Sequence, residues 1–187
     1  MPRKKLILVL SCVFLLAGCD KTQIPMQHAL DFRTTLAEAD GCSYTAAVTA
    51  GYEDRTYDFT LSCQYDAQVT NLEVLEPASI AGITASVSGD GAELAFDGAL
   101  LDFGQMANGY VAPIAAPWLL CQCWAEEYIA YAGRDAELER VTYLRGYNDA
   151  ELTIDTWFSD GIPVHAEVIW DGKRCLTVEL SEFRIND

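Results

Sequence analysis

Apolar and polar residues alternate along most of this chain, and the alternation predicts strands. Cys42, Tyr44, Ala46 and Val48 interleave with Ser43, Thr45, Ala47 and Thr49. After the segment 51–54, Tyr57, Phe59, Leu61 and Cys63 interleave with Thr56, Asp58, Thr60 and Ser62. A strict period of two marks half-buried strands. A four-residue loop pairing Ala50 with Arg55 sets Val48 opposite Tyr57, Ala46 opposite Phe59, Tyr44 opposite Leu61 and Cys42 opposite Cys63. One face is then apolar and the other polar, and a one-residue slip would undo the match.

The same pattern returns at Ile83, Ala85 and Val87, then at Ala92, Leu94 and Phe96, then at Ala99, Leu101 and Phe103. The two-residue turn Asp97-Gly98 is a strong hairpin signal. It sets Phe96 opposite Ala99, Leu94 opposite Leu101 and Ala92 opposite Phe103. A further strand is expected over 67–76, with a short turn or helix over 77–82. Strands are also expected over 138–145, 152–158, 163–170 and 173–185. The last two meet at Asp171-Gly172, where parity fails: Val164, Ala166 and Val168 match Leu176, Val178 and Leu180 only if a three-residue loop or a bulge intervenes. At least nine strands result, nearly all antiparallel.

Two segments break the alternation. Residues 26–40 read as a helix with Ala29, Leu30 and Leu36 on its inner side and Gly41 ending it. Residues 113–124 begin at a proline and are apolar on nearly every face, which marks a buried helix. The expected fold class is mainly β (α+β). A strongly curved antiparallel sheet forms an incomplete barrel, with the N-terminal helix and the mid-chain apolar helix packed in its concave face.

The first residues follow another logic. Arg3, Lys4 and Lys5 precede an apolar run from Leu6 to Leu16, too short for the roughly 20 residues of a membrane-spanning helix and suited to a signal peptide. Leu16-Ala17-Gly18-Cys19 resembles the lipobox read by lipoprotein signal peptidase. That resemblance implies a signal peptide over 1–18 and a lipidated Cys19 with a short tether over 19–25, ahead of the single half-barrel domain expected over 26–187. A diacylglyceryl group on Cys19 supplies the two acyl chains that stable anchoring requires. Asp20 resembles the signal that retains lipoproteins on the inner membrane, so the expected location is the outer face of the cytoplasmic membrane. The tether from Asp20 to Pro25 reaches about 20 Å when extended, which keeps the domain close to the bilayer.

Charge narrows the choice of partner. Removing the 18 residues ahead of Cys19 from 187 leaves 169 residues and takes away three of the 12 basic side chains, moving the net charge from −16 to −19. A chain so acidic is unsuited to nucleic acid, which requires clustered Lys and Arg, and to electrostatic adhesion on anionic lipid. Membrane attachment then falls to the lipid on Cys19.

Residues with chemical potential are few. In the predicted register Cys42 and Cys63 face each other, close enough for a disulfide in an oxidising compartment; the alternative is two buried thiols. Cys121 and Cys123, two apart on a helix, point in different directions and read as core thiols, and nothing in the spacing pairs either with Cys175. No zinc spacing, cofactor motif or nucleophile elbow is present. His28 and His165 are expected on the surface. Phe59, Phe103, Trp118, Leu119 and Trp124 are the candidates for lining a ligand cavity, the alternative being a solid core.

The lipobox, N-terminal helix, antiparallel strands, mid-chain apolar helix and closing strands together resemble the lipoprotein-carrier superfamily, which comprises the periplasmic lipoprotein carrier, its outer-membrane receptor and related lipoproteins. The phrases Leu75-Glu-Pro-Ala-Ser-Ile-Ala-Gly-Ile83 and Gly161-Ile-Pro-Val-His-Ala-Glu-Val-Ile-Trp-Asp-Gly-Lys173 are similar to small lipoproteins of gut clostridia. The resemblance implies a non-enzymatic, membrane-anchored protein that binds a lipid or other apolar ligand in a half-barrel. The competing expectation is an envelope interaction protein with a filled core, and a weaker third is a hydrolase using scattered carboxylates.

Overall fold

Eleven strands join in one antiparallel sheet, and its order follows the chain except at one seam. The computed structural model describes residues 23–186 apart from 53–54, 67, 97–98, 104–105, 108–109 and 147–150. The signal segment, Cys19, most of its tether and the Asp97-Gly98 turn therefore lie outside the described residues. Helix α1 spans Gln23–Glu38. The strands are β1 (Cys42–Tyr52), β2 (Arg55–Asp66), β3 (Val69–Glu76), β4 (Thr84–Ser88), β5 (Gly91–Phe96) and β6 (Ala99–Phe103). The two short strands β7 (Met106–Ala107) and β8 (Tyr110–Val111) pair with each other. A 3₁₀ turn at Pro113–Ala115 leads into helix α2 (Ala116–Glu126). Strands β9 (Tyr128–Asp135), β10 (Leu138–Arg145), β11 (Leu152–Ser159), β12 (Ile162–Trp170) and β13 (Lys173–Ile185) complete the chain.

The sheet order is β6-β5-β4-β3-β2-β1-β13-β12-β11-β10-β9. Two meanders, β1 to β6 and β9 to β13, are sewn together where β1 pairs with β13. The outer strands β6 and β9 do not meet, so the barrel stays open. Its curvature follows from what α2 touches. On a flat sheet β3 and β10 would stand six strand spacings, roughly 29 Å, apart. Yet α2, a cylinder about 10–12 Å across with its side chains, contacts β2, β3 and β10. The sheet is therefore folded around the helix.

Most of the predicted registers hold. Ala92 faces Phe103, Leu94 faces Leu101, Phe96 faces Ala99, and Val87 faces Ala92. At Asp171-Gly172 the turn has two residues, with Trp170 facing Lys173, and a bulge between Val168 and Ile169 restores the match of Val168 with Leu176 and Ala166 with Val178. The first hairpin corrects the prediction. Tyr52 faces Arg55, so Val48 faces Phe59, Ala46 faces Leu61 and Tyr44 faces Cys63. The loop is two residues shorter than the sequence pattern proposed. A shift of two keeps every side chain on its expected face, which is why alternation alone cannot detect it. In α1, Ala29 and Leu36 are buried as expected, whereas Leu30 is 41% exposed and Phe32 takes the inner position. Strand β9 has no counterpart among the strands expected from the sequence.

Gly41 links α1 to β1 for a specific reason. Its φ is +122°, and a Cβ there would lie 2.0 Å from the carbonyl oxygen of Tyr65. Only glycine allows the chain to turn so closely past β2.

Candidate functional site

The concave face is the place where a ligand of a half-barrel would lie, and α2 occupies it. Because α2 is apolar on nearly every face, water is a poor environment for most of its surface. Trp118 and Leu119 are 3% exposed, and Leu120, Cys121, Cys123 and Trp124 are 0% exposed. They pack against Ala46, Val48, Leu61, Leu72 and Val178 in one continuous core. Phe59 is partly buried and packs against the same core. Phe103 belongs to β6, and its side chain is outside the described residues. Of the five candidate lining residues, the structure thus brings Phe59, Trp118, Leu119 and Trp124 together, as packed core.

An aromatic cluster ties the elements. The ring of Phe32 on α1 lies 6.0 Å from Trp124, 5.2 Å from Phe158 and 6.0 Å from Phe183, and Tyr44 stacks on Phe183 at 5.7 Å. The polar ends of these rings find partners, as buried aromatic donors require. Trp124 Nε1 donates to Thr156 Oγ1 at 3.1 Å, Trp118 Nε1 donates to the Gln68 carbonyl at 3.0 Å, and the Tyr44 hydroxyl donates to the Pro117 carbonyl at 2.9 Å.

The C-terminal end of α2 leaves carbonyls short of donors; Arg33 of α1 donates to those of Trp124 and Glu127 and shares that of Cys123 with the Glu127 backbone N–H. Its Nε donates to the Trp124 carbonyl at 2.8 Å, and its Nη2 donates to Cys123 at 3.3 Å and Glu127 at 2.6 Å. A cation at a helix C-terminus also suits the helix dipole. Arg145 stands over the Trp118 ring at 5.0 Å and pairs with Glu127 at 2.8 Å. None of these three partners of α2, Arg33, Thr156 and Arg145, was identifiable from the sequence, because none lies near α2 along the chain.

Among the described residues the thiols of Cys42, Cys63, Cys121, Cys123 and Cys175 are free and buried. With Cys42 opposite Tyr65 and Cys63 opposite Tyr44, the directly opposed pair on which a Cys42–Cys63 bridge rested does not form. Burial pushes the thiols of Cys63, Cys121 and Cys123 up from their ordinary value, and the Tyr44 hydroxyl likewise. Protonated at neutral pH, these sulfurs are poor nucleophiles. His28 Nδ1 lies 2.9 Å from Glu139, and His165 Nδ1 lies 2.8 Å from Glu179. Both are partly exposed and partnered by carboxylates. Among the described residues no group of three or more His, Cys, Asp or Glu side chains is arranged to hold a metal ion. Nor is any described helix long and apolar enough to cross a membrane.

The surface carries open grooves. One of about 500 Å³ runs between α1 and the β9–β10 and β11–β12 turns, lined by His28, Asp31, Arg134, Glu137, Glu139 and Asp160 with Phe32 and Phe158 at its floor. Another of about 330 Å³ lies on the outer face of β2 to β5, among Ser62, Gln64, Asn71, Glu73, Thr84 and Glu93. Both mix polar and apolar side chains, and a third groove of about 440 Å³ beside β1 to β3 is lined by Val48, Phe59, Leu75 and Pro77 together with Thr49, Asp58 and Glu76.

No protein-family model matches the sequence, and no curated protein matches it. Some solved structures are similar to it over most of the chain. A LolA superfamily protein from Nitrosomonas europaea is similar over 87% of this chain and 94% of its own, at 11% identity and a TM-score of 0.48. A DUF1329 family protein from Desulfovibrio piger is similar over 89% and 93%, at 7% identity and a TM-score of 0.49. The lipoprotein LppX of Mycobacterium tuberculosis is similar over 86% and 93%, at 11% identity and a TM-score of 0.42. These likenesses concern the course of the chain, and the role of the half-barrel rests on its own geometry.

Proposed function

We propose that this chain is a lipid-anchored extracytoplasmic protein that works by binding and not by catalysis, and that it meets a protein partner through the surface of a half-barrel whose interior is already filled. The occupancy of the concave face carries this reading. A site for a small apolar molecule keeps several hundred Å³ of unfilled, mostly apolar volume. In the described part of the half-barrel, α2 side chains with 0–3% exposure take up that volume. The grooves on the described surface are open and mix polar with apolar lining, which suits a protein surface better than an enclosed acyl chain. Attachment is through a diacylglyceryl group on Cys19, four residues before the first residue of α1. The domain then stands within about 15 Å of the outer face of the cytoplasmic membrane.

A second reading has an observation of its own. A helix that is apolar on nearly every face is more than a surface-acting protein needs. If α2 leaves its seat, Ala46, Val48, Leu61, Leu72 and Val178 form an apolar trough that fits a lipid acyl chain. In that reading the filled core is the empty state of a lipid binder.

Two experiments separate these readings. In cell fractionation the wild-type protein is expected with membranes, and residues 20–187 exported behind an ordinary cleavable secretory signal in the soluble fraction; if that variant stays with membranes, the anchor is removed from the proposal. Native mass spectrometry of the soluble variant is expected to give the mass of the chain alone, and crosslinking in cells a defined envelope protein. A co-purified acyl-chain mass instead establishes the second reading and overturns the first.

A further inference from the structure

Two thiols from distant parts of the chain meet in the core. Cys42 opens β1 and Cys121 lies in the middle of α2, 79 residues later, yet their sulfurs are 4.0 Å apart and both side chains are 0% exposed. The other three sulfurs are directed elsewhere. Cys63 Sγ donates to the Leu61 carbonyl at 3.6 Å and Cys175 Sγ to the Val168 carbonyl at 3.2 Å. Cys123, two residues beyond Cys121, points away from it around the helix. Tyr44 fixes the position of Cys121: its hydroxyl donates to the Pro117 carbonyl, one turn earlier in α2, and lies 3.3 Å from Cys121 Sγ.

We propose that Cys42 and Cys121 form a disulfide in the mature protein, tying the first residue of β1 to the helix that fills the half-barrel. The proposal rests on the extracytoplasmic location put forward above, because disulfides persist in oxidising compartments. To bond, the sulfurs must close from 4.0 Å to about 2.05 Å, a movement on the scale of a χ1 rotation at either cysteine. The oxidant is an exchangeable disulfide, that of an envelope thiol–disulfide oxidoreductase or of oxidised glutathione. One protein thiol, as thiolate, attacks it to give a mixed disulfide and release one thiol. The second protein thiol then displaces the other. One S–S bond forms and one breaks, two electrons pass to the oxidant, and its two sulfurs leave as thiols carrying the two protons. Both protein sulfurs are sealed from solvent once α2 is seated, so the exchange takes place while α2 is docking.

The bond has a functional consequence. It fastens α2 in the concave face, which makes the filled half-barrel permanent in the oxidised protein. A lipid-binding state that needs α2 to leave is open only to the reduced protein.

The test uses the full mature chain. Cells are harvested with free thiols blocked, and the protein is digested without reduction and mapped by mass spectrometry. The expected result is a peptide pair joined through Cys42 and Cys121, with Cys63, Cys123 and Cys175 alkylated. In parallel, reduced and unfolded protein is refolded with oxidised glutathione. The same pair is expected, with a thermal midpoint raised by roughly 5–15 °C over the reduced form. Cys121→Ala is expected to abolish the rise, and Cys175→Ala to keep it. The peptide map of the wild-type chain decides the matter even if a variant fails to fold. A bond formed in glutathione but absent from harvested cells overturns the proposal through its premise of an oxidising compartment. Free Cys42 and Cys121 after refolding in glutathione, or either joined to another cysteine, overturns it through the pairing.

Discussion

Arg33 donates from α1 to the backbone carbonyl of Trp124, whose indole is wholly buried, at 2.8 Å. The same guanidinium serves Cys123 and Glu127, so one side chain holds the C-terminal end of α2 against the N-terminal helix. Arg33→Ala leaves these carbonyls without their charged donor and is expected to cost about 2–4 kcal/mol. For a domain of this size that lowers the thermal midpoint by about 5–15 °C. Arg33→Lys should recover only part of the loss, because an ammonium cannot span three carbonyls as the planar fork does. A midpoint within about 1 °C of wild type for Arg33→Ala, measured by circular dichroism, would show that the clamp is idle.

Gly41 and Gly133 make a matched pair of tests. A Cβ at Gly41 meets backbone, the Tyr65 carbonyl oxygen at 2.0 Å, at a φ of +122°. Gly41→Ala should therefore cost more than about 3 kcal/mol or prevent folding, since both strain and clash act against it. A Cβ at Gly133 meets only the hydroxyl end of the Tyr131 side chain, at 2.1 Å. That ring can swing aside, losing its contact with Arg140, whose guanidinium carbon lies 5.4 Å from the ring centre. Gly133→Ala should cost about 1 kcal/mol or less. Equal losses in urea unfolding would contradict the difference.

Buried tyrosines and thiols make alkaline pH destabilising. Burial pushes the Tyr65 hydroxyl up to about 12, with nearby Cys121 and Glu126 adding to the rise. An unfolded tyrosine ionises near 10 and an unfolded thiol near 8.5. The folded state therefore holds protons that the unfolded state releases, and stability falls as pH rises. The contribution of Tyr65 is complete below pH 10 and is lost as the pH passes 12. Cys63 and Cys123, raised by burial in the same direction, start the decline nearer pH 9. Thermal midpoints measured from pH 7 to 11 should drop progressively above about pH 9, and Tyr65→Phe should flatten the part above 10. A midpoint that climbs over this range would refute the assignment.

Trp124→Ala removes a ring that contacts Phe32, Tyr44 and Phe183, together with its bond to Thr156. The cavity should cost about 3–5 kcal/mol. Thr156→Val isolates the polar part. It leaves the indole N–H buried without an acceptor, at about 1–3 kcal/mol. Denaturant midpoints for the two variants should rank in that order.

How much of this was readable in advance depended on the kind of signal. Alternation marked the inward face at Tyr44, Ala46 and Val48 and at Ala85, Val87 and Ala92, since a side chain is either in or out. The Asp97-Gly98 turn pinned its own register because a tight turn leaves no choice of length. The first hairpin lacked such a pin, and a shift of two left the pattern at Tyr44, Ala46 and Val48 untouched. Strand β9 escaped because Tyr128-Ile-Ala-Tyr-Ala-Gly-Arg-Asp135 does not alternate cleanly at the edge of the sheet, where Tyr128 is 70% and Tyr131 43% exposed. The contact between Cys42 and Cys121 was beyond reach for another reason. It depends on how a helix is seated across a sheet, and no local pattern records that.

The seam between β1 and β13 sets an order of events in the life of the chain. Cys42 faces Ile185 and Ala50 faces Leu176, so the central ladder of the sheet joins residues more than a hundred positions apart. Contacts of such range form slowly, because the whole intervening loop must be ordered at once. A chain made from its N-terminus presents β1 long before β13 exists. Until the last 13-residue strand arrives, β1 keeps an open edge that any extended segment can join. The half-barrel is thus most exposed to mispairing while it is being made, and loss of its last strand should leave an aggregation-prone chain instead of a smaller working domain.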